Sequence, residues 1–203
     1  MWVIIILILI ILLAIILYGK NKIIGGAVDR LINDLPRRKY RRTDDSPHRE
    51  ILIHWGQKKL LLSEIEFLTK YGHLSNIVVY AGSAPGTHID YLVKMFPDHK
   101  FILYDPRDFD TRLKKLDNVN IRQQYFTDED AKKWENKNVL FISDIRDRGY
   151  GDSDKKDELI IEDMNFQKSW VMMINPIAAT LKFKLPYNNH KKLNYFKGEL
   201  FYQ

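Results

Sequence analysis

Two glycines interrupt the stretch VVYAGSAPGTHIDYL, residues 78–92, between an apolar run and a helical pattern. Gly82 and Gly86 carry no side chain beyond hydrogen, so the backbone of this loop can come close to a ligand. Asp105 ends the next apolar run, FILYD, where an acidic side chain commonly binds ribose hydroxyls. The spacing of these three residues predicts a nucleoside site.

The loop departs from the GxGxxG fingerprint of dinucleotide-binding proteins. It reads GSAPG, and Pro85 lies where a helix N-terminus would donate backbone N–H groups to a pyrophosphate. Because proline has no N–H to donate, a nucleoside without phosphates, such as S-adenosylmethionine, fits the loop better. A strand followed by a Gly/Pro turn is also common as a purely structural turn, and that alternative stays open.

Strands and helices alternate in the part of the chain that carries these residues, which predicts an α/β fold with a mostly parallel, doubly wound sheet. The glycine loop then lies at the topological switch point of the sheet. The predicted helices span 60–72, 88–96 and the first part of 157–175. The predicted strands span 77–82, 101–105, 138–144, the end of 157–175, 180–187 and 197–203. The last two strands have no helix between them, which predicts a terminal antiparallel hairpin.

Composition limits the class of protein. The chain has 203 residues, no cysteine and a formal net charge of +6. This length suits one domain with a substantial core, and the lack of cysteine excludes disulfides and cysteine-ligated metals. The excess of positive charge predicts an acidic partner, either nucleic acid or anionic lipid.

Residues 2–18 contain no charge, no proline and no glycine. This run is close to the roughly 20 apolar residues that cross a bilayer, so residues 1–19 are predicted to be a transmembrane anchor. A cleaved signal peptide is the alternative, but no basic segment follows Met1, and residues 17–19 make a poor cleavage site. The lysines and arginines after the span predict a single-pass membrane protein whose remaining chain is cytoplasmic.

Residues 20–49 are predicted to be a basic juxtamembrane linker, and residues 50–203 to be the folded domain. The run RRKYRR at 37–42 fits attraction to anionic lipid headgroups and also fits RNA binding. Both interpretations of this run stay open.

Six motifs occur in a characteristic order over roughly residues 40–203. They are GQKKLLL (56–62), YAGSAPGTHIDYL (80–92), YDPRDFD (104–110), ISDIRD (142–147), NPIAATLKFKLPY (175–187) and GEL (198–200). The set resembles the family of poxvirus cap-specific mRNA 2'-O-methyltransferases, whose members also serve as the small subunit of the viral poly(A) polymerase. The resemblance implies a Rossmann-like methyltransferase fold, S-adenosylmethionine as cofactor, no metal, capped RNA as substrate and a poly(A) polymerase catalytic subunit as a candidate partner.

The resemblance also implies a Lys-Asp-Lys-Glu catalytic set, which falls on Lys59, Asp144, Lys182 and Glu199. A ribose 2'-hydroxyl is a poor nucleophile, so a nearby group must accept its proton or orient it while the methyl group is held in line. Lys182 is expected in that role, with Lys59 and Glu199 tuning it and Asp144 linking it to the donor. We expect all four to converge beside the glycine turn. Lys58 leaves the first assignment open by one position, and a lysine in a run such as TLKFKLPY is also typical of a solvated face.

The same resemblance implies two groups of binding residues. Those around the cofactor are Gln57, Tyr80, Gly82, Gly86, Asp105 and Arg107, with Phe126 and Thr127 beside the adenine. Phe126 is equally consistent with an ordinary core residue. Tyr40 and Tyr187 match the two aromatic residues that stack on the methylated cap guanine. His88 and Asp90 have no predicted role.

The expected function is therefore methyl transfer from S-adenosylmethionine to the ribose 2'-OH of RNA, at the first transcribed nucleotide of capped mRNA, by a membrane-anchored and virus-associated enzyme. The alternative is a catalytically inactive, membrane-tethered RNA-binding or polymerase-adaptor module. A third interpretation is methylation of another RNA, such as ribosomal RNA. The presence of all four residue types of the catalytic set favours the enzyme.

Overall fold

The computed structural model describes residues 49–146, 156–184 and 195–199. These residues form nine helices and strands, with short 3-10 turns at Gly72–Leu74 and Leu113–Lys115. In chain order they are α1 (Arg49–Tyr71), β1 (Ile77–Ala81), α2 (Ile89–Met95), β2 (Lys100–Tyr104), β3 (Val119–Arg122), α3 (Asp128–Lys133), β4 (Leu140–Ser143), α4 (Lys156–Ile174) and β5 (Ala178–Leu181).

The five strands form one sheet in the order β3-β2-β1-β4-β5. All four neighbouring pairs are parallel, so the predicted parallel α/β sheet is confirmed. The order reverses between β1 and β4, where Tyr80 lies opposite Ile142, and Ile142 in turn lies opposite Thr180 of β5. This arrangement is compatible with a Rossmann-like fold, in which ligands bind at the carboxyl ends of the strands beside the reversal.

Both faces of the sheet are covered, because side chains on successive strand residues point to opposite faces. On one face, Val78 and Tyr80 pack with residues of α1 and α2, including Phe67 and Leu92. On the other face, Val79, Ala81 and Phe141 pack with residues of α3 and α4, represented by Ala131, Trp170 and Ile174. The sheet is therefore doubly wound.

Several predicted bounds were wrong. Helix α1 begins at Arg49 rather than at residue 60, because Gly56 and the polar run at 57–59 interrupt the apolar pattern of the helix. The strand expected at the end of 157–175 is the last part of α4. Trp170 and Ile174 are both buried four residues apart, which is the spacing of a helix face.

The terminal antiparallel hairpin is not seen in the residues that the structure describes. Strand β5 pairs with β4 in parallel, and no strand is assigned at 182–184 or 195–199. Two neighbouring parallel strands need a crossover connection between them, and α4 provides it. The sequence interpretation had made this helix too short. The remaining residues of the two predicted hairpin strands lie outside the described ranges.

The predicted anchor, 1–19, and nearly all of the predicted linker, 20–49, also lie outside the described ranges. Within those ranges, none of the helices has both the length and the apolar character needed to cross a bilayer. The division of the chain into anchor, linker and domain stays a prediction.

Candidate functional site

An ion pair joins the ends of β4 and β5. Ser143 lies opposite Leu181 in the sheet register, so the next residues, Asp144 and Lys182, leave their strands side by side. Lys182 Nζ lies 2.5 Å from Asp144 Oδ1. The backbone N–H of Lys182 donates to the Ser143 carbonyl at 2.8 Å. The parallel pairing thus brings together two of the four predicted catalytic residues.

Gln167 of α4 fixes the backbone of Lys182. Its side chain is fully buried, its Oε1 accepts the Lys182 N–H at 3.0 Å, and its Nε2 donates to the Lys182 carbonyl at 3.1 Å. Sequence reasoning missed this residue. The available signal was its position on the apolar stripe of α4, between Met164 and Trp170, where a polar side chain needs a buried partner.

A small crevice lies between α1 and the ends of β4 and β5. Its lining residues are Leu60, Ser63, Glu64, Ile142, Ser143, Asp144, Thr180, Leu181 and Lys182. Its empty space is ≈ 280 Å³, but this volume includes open solvent, and the enclosed part is much smaller. The crevice therefore has room for only one part of a nucleoside ligand beside the ion pair.

Glu64, which the sequence interpretation did not identify, is the buried acid of this crevice. Its Oε1 accepts the Tyr80 hydroxyl at 2.5 Å and lies 3.1 Å from His88 Nε2. Burial raises the pKa of Tyr80 well above its ordinary value, and the Glu64 and Asp144 carboxylates raise it further. The Tyr80 phenol therefore stays protonated and can donate to Glu64. As the Tyr80 side chain is fully buried, its predicted contact with the cofactor stays a prediction.

His88 connects this buried acid to Gln57. His88 Nδ1 lies 2.7 Å from Gln57 Oε1, which also accepts the Thr87 hydroxyl at 3.3 Å. Gln57 and Glu64 belong to α1, whereas Thr87 and His88 end the glycine loop. The sequence assigned His88 no role, and the structure places it between α1 and that loop.

Both loop glycines have positive φ angles, +80° at Gly82 and +69° at Gly86, which L side chains rarely adopt. A Cβ at Gly82 would lie 2.8 Å from Ile145 N. A Cβ at Gly86 would lie 2.8 Å from Leu113 Cδ1. The sequence predicted that a ligand comes close to these glycines, but in the structure it is atoms of the protein itself that come close. At Gly82 these atoms belong to the segment that follows β4.

Asp105 braces the same loop. Its carboxylate accepts from the Ala84 N–H at 3.1 Å and three times from Arg107, through the backbone N–H at 3.0 Å, Nε at 2.8 Å and Nη2 at 2.7 Å. Burial alone would raise the pKa of Asp105, but the hydrogen bonds from Arg107 and Ala84 outweigh it and lower the pKa below its ordinary value. Four donors fill the usual capacity of a carboxylate, so a ribose would have to displace one of them.

Phe126 and Thr127 both have structural partners. The Phe126 ring is buried and meets Tyr104 and Trp170 edge to face, with centroid distances of 4.9 and 5.0 Å. Thr127 caps α3 through a reciprocal capping box with Asp130. The core interpretation of Phe126 is therefore confirmed, and a role of either residue beside an adenine stays a prediction.

The other two residues of the predicted catalytic set lie apart from the ion pair. Lys59 is exposed on α1, next to Leu60 of the crevice, and its side chain has no partner within the described part of the chain. Glu199 contacts Lys70, which lies about 16 Å beyond Lys59 along the axis of α1. The expected convergence of all four residues is therefore not what the structure shows.

Tyr40 and Tyr187, the predicted cap-stacking pair, lie outside the described residues. Within the ranges that are described, no group of three or more His, Asp or Glu side chains could hold a metal ion.

Comparison with known proteins adds two findings. The family model described as "Poly A polymerase regulatory subunit" matches residues 31–201. A Fowlpox virus protein named cap-specific mRNA (nucleoside-2'-O-)-methyltransferase is 37% identical over 147 residues, which cover 65% of this chain and 47% of that protein. A Myxoma virus (strain Lausanne) protein of the same name is 32% identical over 148 residues, which cover 67% of this chain and 44% of that protein. The chain thus spans less than half the length of these relatives.

Proposed function

The chain belongs to the poly(A) polymerase regulatory subunit family, and from this premise we propose that it transfers a methyl group from S-adenosylmethionine to a ribose 2'-OH of RNA. The observation that carries the proposal is the Lys182–Asp144 ion pair beside the reversal of strand order. The names of the two viral relatives support the reaction class. Since the chain covers less than half of each, their activity is extended to it here only as a proposal.

The crevice has the donor and acceptor groups to hold a cationic nucleoside. Glu64 Oε2 and Asp144 Oδ1 are buried carboxylate oxygens that accept no well-formed hydrogen bond within the described part of the chain, although His88 Nε2 lies 3.1 Å from the first and Lys182 Nζ 2.5 Å from the second. Buried acceptors without donors are unfavourable, and a ligand that brings donors or positive charge would relieve them. S-adenosylmethionine carries a sulfonium and an ammonium, and when bound it supplies the electrophilic methyl group. Asp144 and the loop from Gly82 to Gly86 would hold it.

Lys182 is the residue that acts on the acceptor hydroxyl. Asp144 fixes its side chain, and Gln167 fixes its backbone on both the N–H and the carbonyl side. An ammonium held in this way can orient a ribose hydroxyl by donating to its oxygen, and it accepts the hydroxyl proton only after it has lost its own proton to solvent; such positioning contributes strongly to catalysis. Lys59, exposed beside the crevice, is proposed to assist from α1. Glu199 can take its proposed part only if its contact with Lys70 opens.

The acceptor is proposed to be the first transcribed nucleotide of capped mRNA. Tyr40 and Tyr187 would stack on the cap guanine, and the basic run at 37–42 would contact RNA phosphates, which makes binding salt-dependent. The description of the family makes a poly(A) polymerase catalytic subunit the proposed protein partner.

A second candidate function is favoured by one observation. Glu199 pairs with Lys70 instead of joining Lys182 and Asp144, so the catalytic set is incomplete as it stands. A chain that retains the fold but lacks transfer activity would act as an RNA-binding or polymerase-adaptor module.

A membrane location is proposed from the uncharged run at 2–18 and the basic residues that follow it, with the domain on the cytoplasmic side. The full chain should remain in the membrane pellet after alkaline carbonate extraction of cells that express it. A variant with Leu9→Arg and Leu12→Arg should be released, because a charged side chain at the middle of a span is unfavourable by about 2.5–3.5 kcal/mol. Release of the unsubstituted chain would refute the anchor.

The enzymatic proposal is tested with labelled S-adenosylmethionine and short RNAs, capped and uncapped. The full chain should label the capped RNA, and Lys182→Ala should abolish labelling while the affinity for S-adenosylhomocysteine changes little. Lys114→Ala, at an exposed lysine that is not among the residues lining the crevice, is the matched control.

Each other outcome has one meaning. Equal labelling of both RNAs removes cap specificity. Binding of S-adenosylhomocysteine with no labelling favours the adaptor, and an active Lys182→Ala variant removes the lysine assignment. A parallel pair, Lys58→Ala and Lys59→Ala, decides which of the two neighbouring lysines contributes.

A further inference from the structure

Glu64 has one carboxylate oxygen, Oε2, that accepts no well-formed hydrogen bond within the described residues. The residue is 1% exposed and lines the crevice together with Asp144 and Lys182. Its Oε1 accepts the Tyr80 hydroxyl, whereas its Oε2 accepts no hydrogen bond from the residues that the structure describes. His88 Nε2 lies 3.1 Å from Oε2, but not in hydrogen-bond geometry.

Two carboxylates line the crevice, and of these Glu64 is the one that has no lysine or arginine partner among the described residues. The other carboxylate of the lining, Asp144, already has the Lys182 ammonium at 2.5 Å. A buried carboxylate oxygen is stabilised by N–H donors, and more strongly by cationic donors than by neutral ones. The free oxygen therefore favours a ligand group that is both positively charged and rich in N–H donors.

Glu64 is also held rigidly, so it cannot turn outward to reach water. Tyr80 fixes one oxygen, and His88 links the carboxylate to Gln57, which the Thr87 hydroxyl contacts in turn. A preorganised acceptor loses little conformational freedom when a ligand binds, which improves affinity.

We propose that Glu64 Oε2 binds the α-ammonium group of the amino-acid part of the methyl donor. This inference rests on the proposed function, because it assigns a residue to one end of the donor. Lys182 and Asp144 then act at the reacting end, and Glu64 discriminates donor-like nucleosides by their amine. His88 and Tyr80 are positioning residues for this carboxylate.

Calorimetric titration of the full chain with two ligands tests the assignment. The first ligand is S-adenosylhomocysteine, and the second is its deaminated analogue, in which hydrogen replaces the α-amino group. The unsubstituted chain should bind the first about 10- to 100-fold more tightly, as expected for one charge-assisted hydrogen bond. Glu64→Gln should bind both ligands with nearly equal affinity, and Glu66→Gln, on the same helix but outside the crevice lining, should keep the full preference.

Three results would overturn the inference, and they differ from failure of the proposed function. An unsubstituted chain that binds both ligands equally has no amine contact, and this measurement decides the matter even where Glu64→Gln does not fold. A Glu64→Gln variant that retains the preference assigns the contact elsewhere, and loss of the preference only in Asp144→Asn assigns it to Asp144. An unsubstituted chain that binds neither ligand instead removes the donor site itself, and with it the proposed function.

Discussion

Alanine at position 82 is the sharpest test of the contact between the glycine loop and the end of β4. The native φ of +80° is in the left-handed region, which an L residue adopts at a cost of about 1–2 kcal/mol. The added Cβ would lie 2.8 Å from Ile145 N and 2.9 Å from Asp144 C. These are backbone atoms that cannot rotate away, and such overpacking is unfavourable by about 1–3 kcal/mol. The expected loss in free energy of unfolding is therefore about 2–5 kcal/mol.

Thermal unfolding followed by circular dichroism measures this loss. For a chain of this size the midpoint of Gly82→Ala should fall by about 4–20 °C. Gly56→Ala is the matched control, because Gly56 lies within α1 and an added Cβ meets none of the described atoms within 4 Å. Alanine favours a helix over glycine by about 0.5–1 kcal/mol, so the control midpoint should rise slightly.

The two glycine variants together make the reasoning refutable. A Gly82→Ala midpoint equal to that of the unsubstituted chain, with the expected rise in Gly56→Ala, would show that the loop does not press against the end of β4. If the contact exists, Gly82→Ala should also lower methyl transfer, because relief of the overlap moves Asp144.

Three further predictions concern residues around the site. Hydrogen bonds from Arg112 lower the pKa of Asp110 to about 2 from an ordinary 3.8, so this ion pair should stabilise the fold above about pH 4, and its contribution should be lost as the pH falls toward 2. Asp110→Asn should flatten that part of the plot of unfolding midpoint against pH, and an unchanged acid slope would contradict the assignment. Phe126→Ala should lower the free energy of unfolding by about 3–5 kcal/mol through loss of core packing, whereas Thr127→Ala should lower it by about 1 kcal/mol through loss of a helix cap; chemical denaturation measures both, and a small Phe126→Ala loss would place the ring outside the core. Gln167→Leu should reduce methyl transfer about 10- to 100-fold while S-adenosylhomocysteine affinity is kept, since Lys182 loses its anchor on α4, and unchanged transfer would show that the anchor is dispensable.

Burial on both faces made the central strands predictable. The runs that became β1, β2 and β4 are apolar without interruption and end in a loop or an acid, so their parallel pairing followed from the alternation with helices. Strand β3 was missed because VNIR is short, lies at the edge and is only partly buried. The strand expected at the end of α4 arose because VMMI is apolar, and a short apolar run does not distinguish strand from helix.

The site was predictable where register sets it and unpredictable where polar side chains meet across layers. Asp144 and Lys182 meet because neighbouring parallel strands end together. Glu64 and Gln167 lie within helices, where an acid or an amide usually faces solvent, and only the packed sheet shows that both are buried. Glu199 depends on the path of the chain after β5, which no local pattern specifies.

The two hydrogen bonds between the Gln167 side chain and the backbone of Lys182 have a consequence for the position of the reactive lysine. Alternation along β5 directs the Lys182 side chain to the layer that contains α1. The backbone of Lys182 instead hydrogen-bonds the side-chain amide of Gln167, which lies in the layer that contains α4. The lysine is therefore connected through the thickness of the sheet. Substitutions on α4 that displace Gln167 are therefore expected to move the ammonium although they touch no residue that lines the crevice.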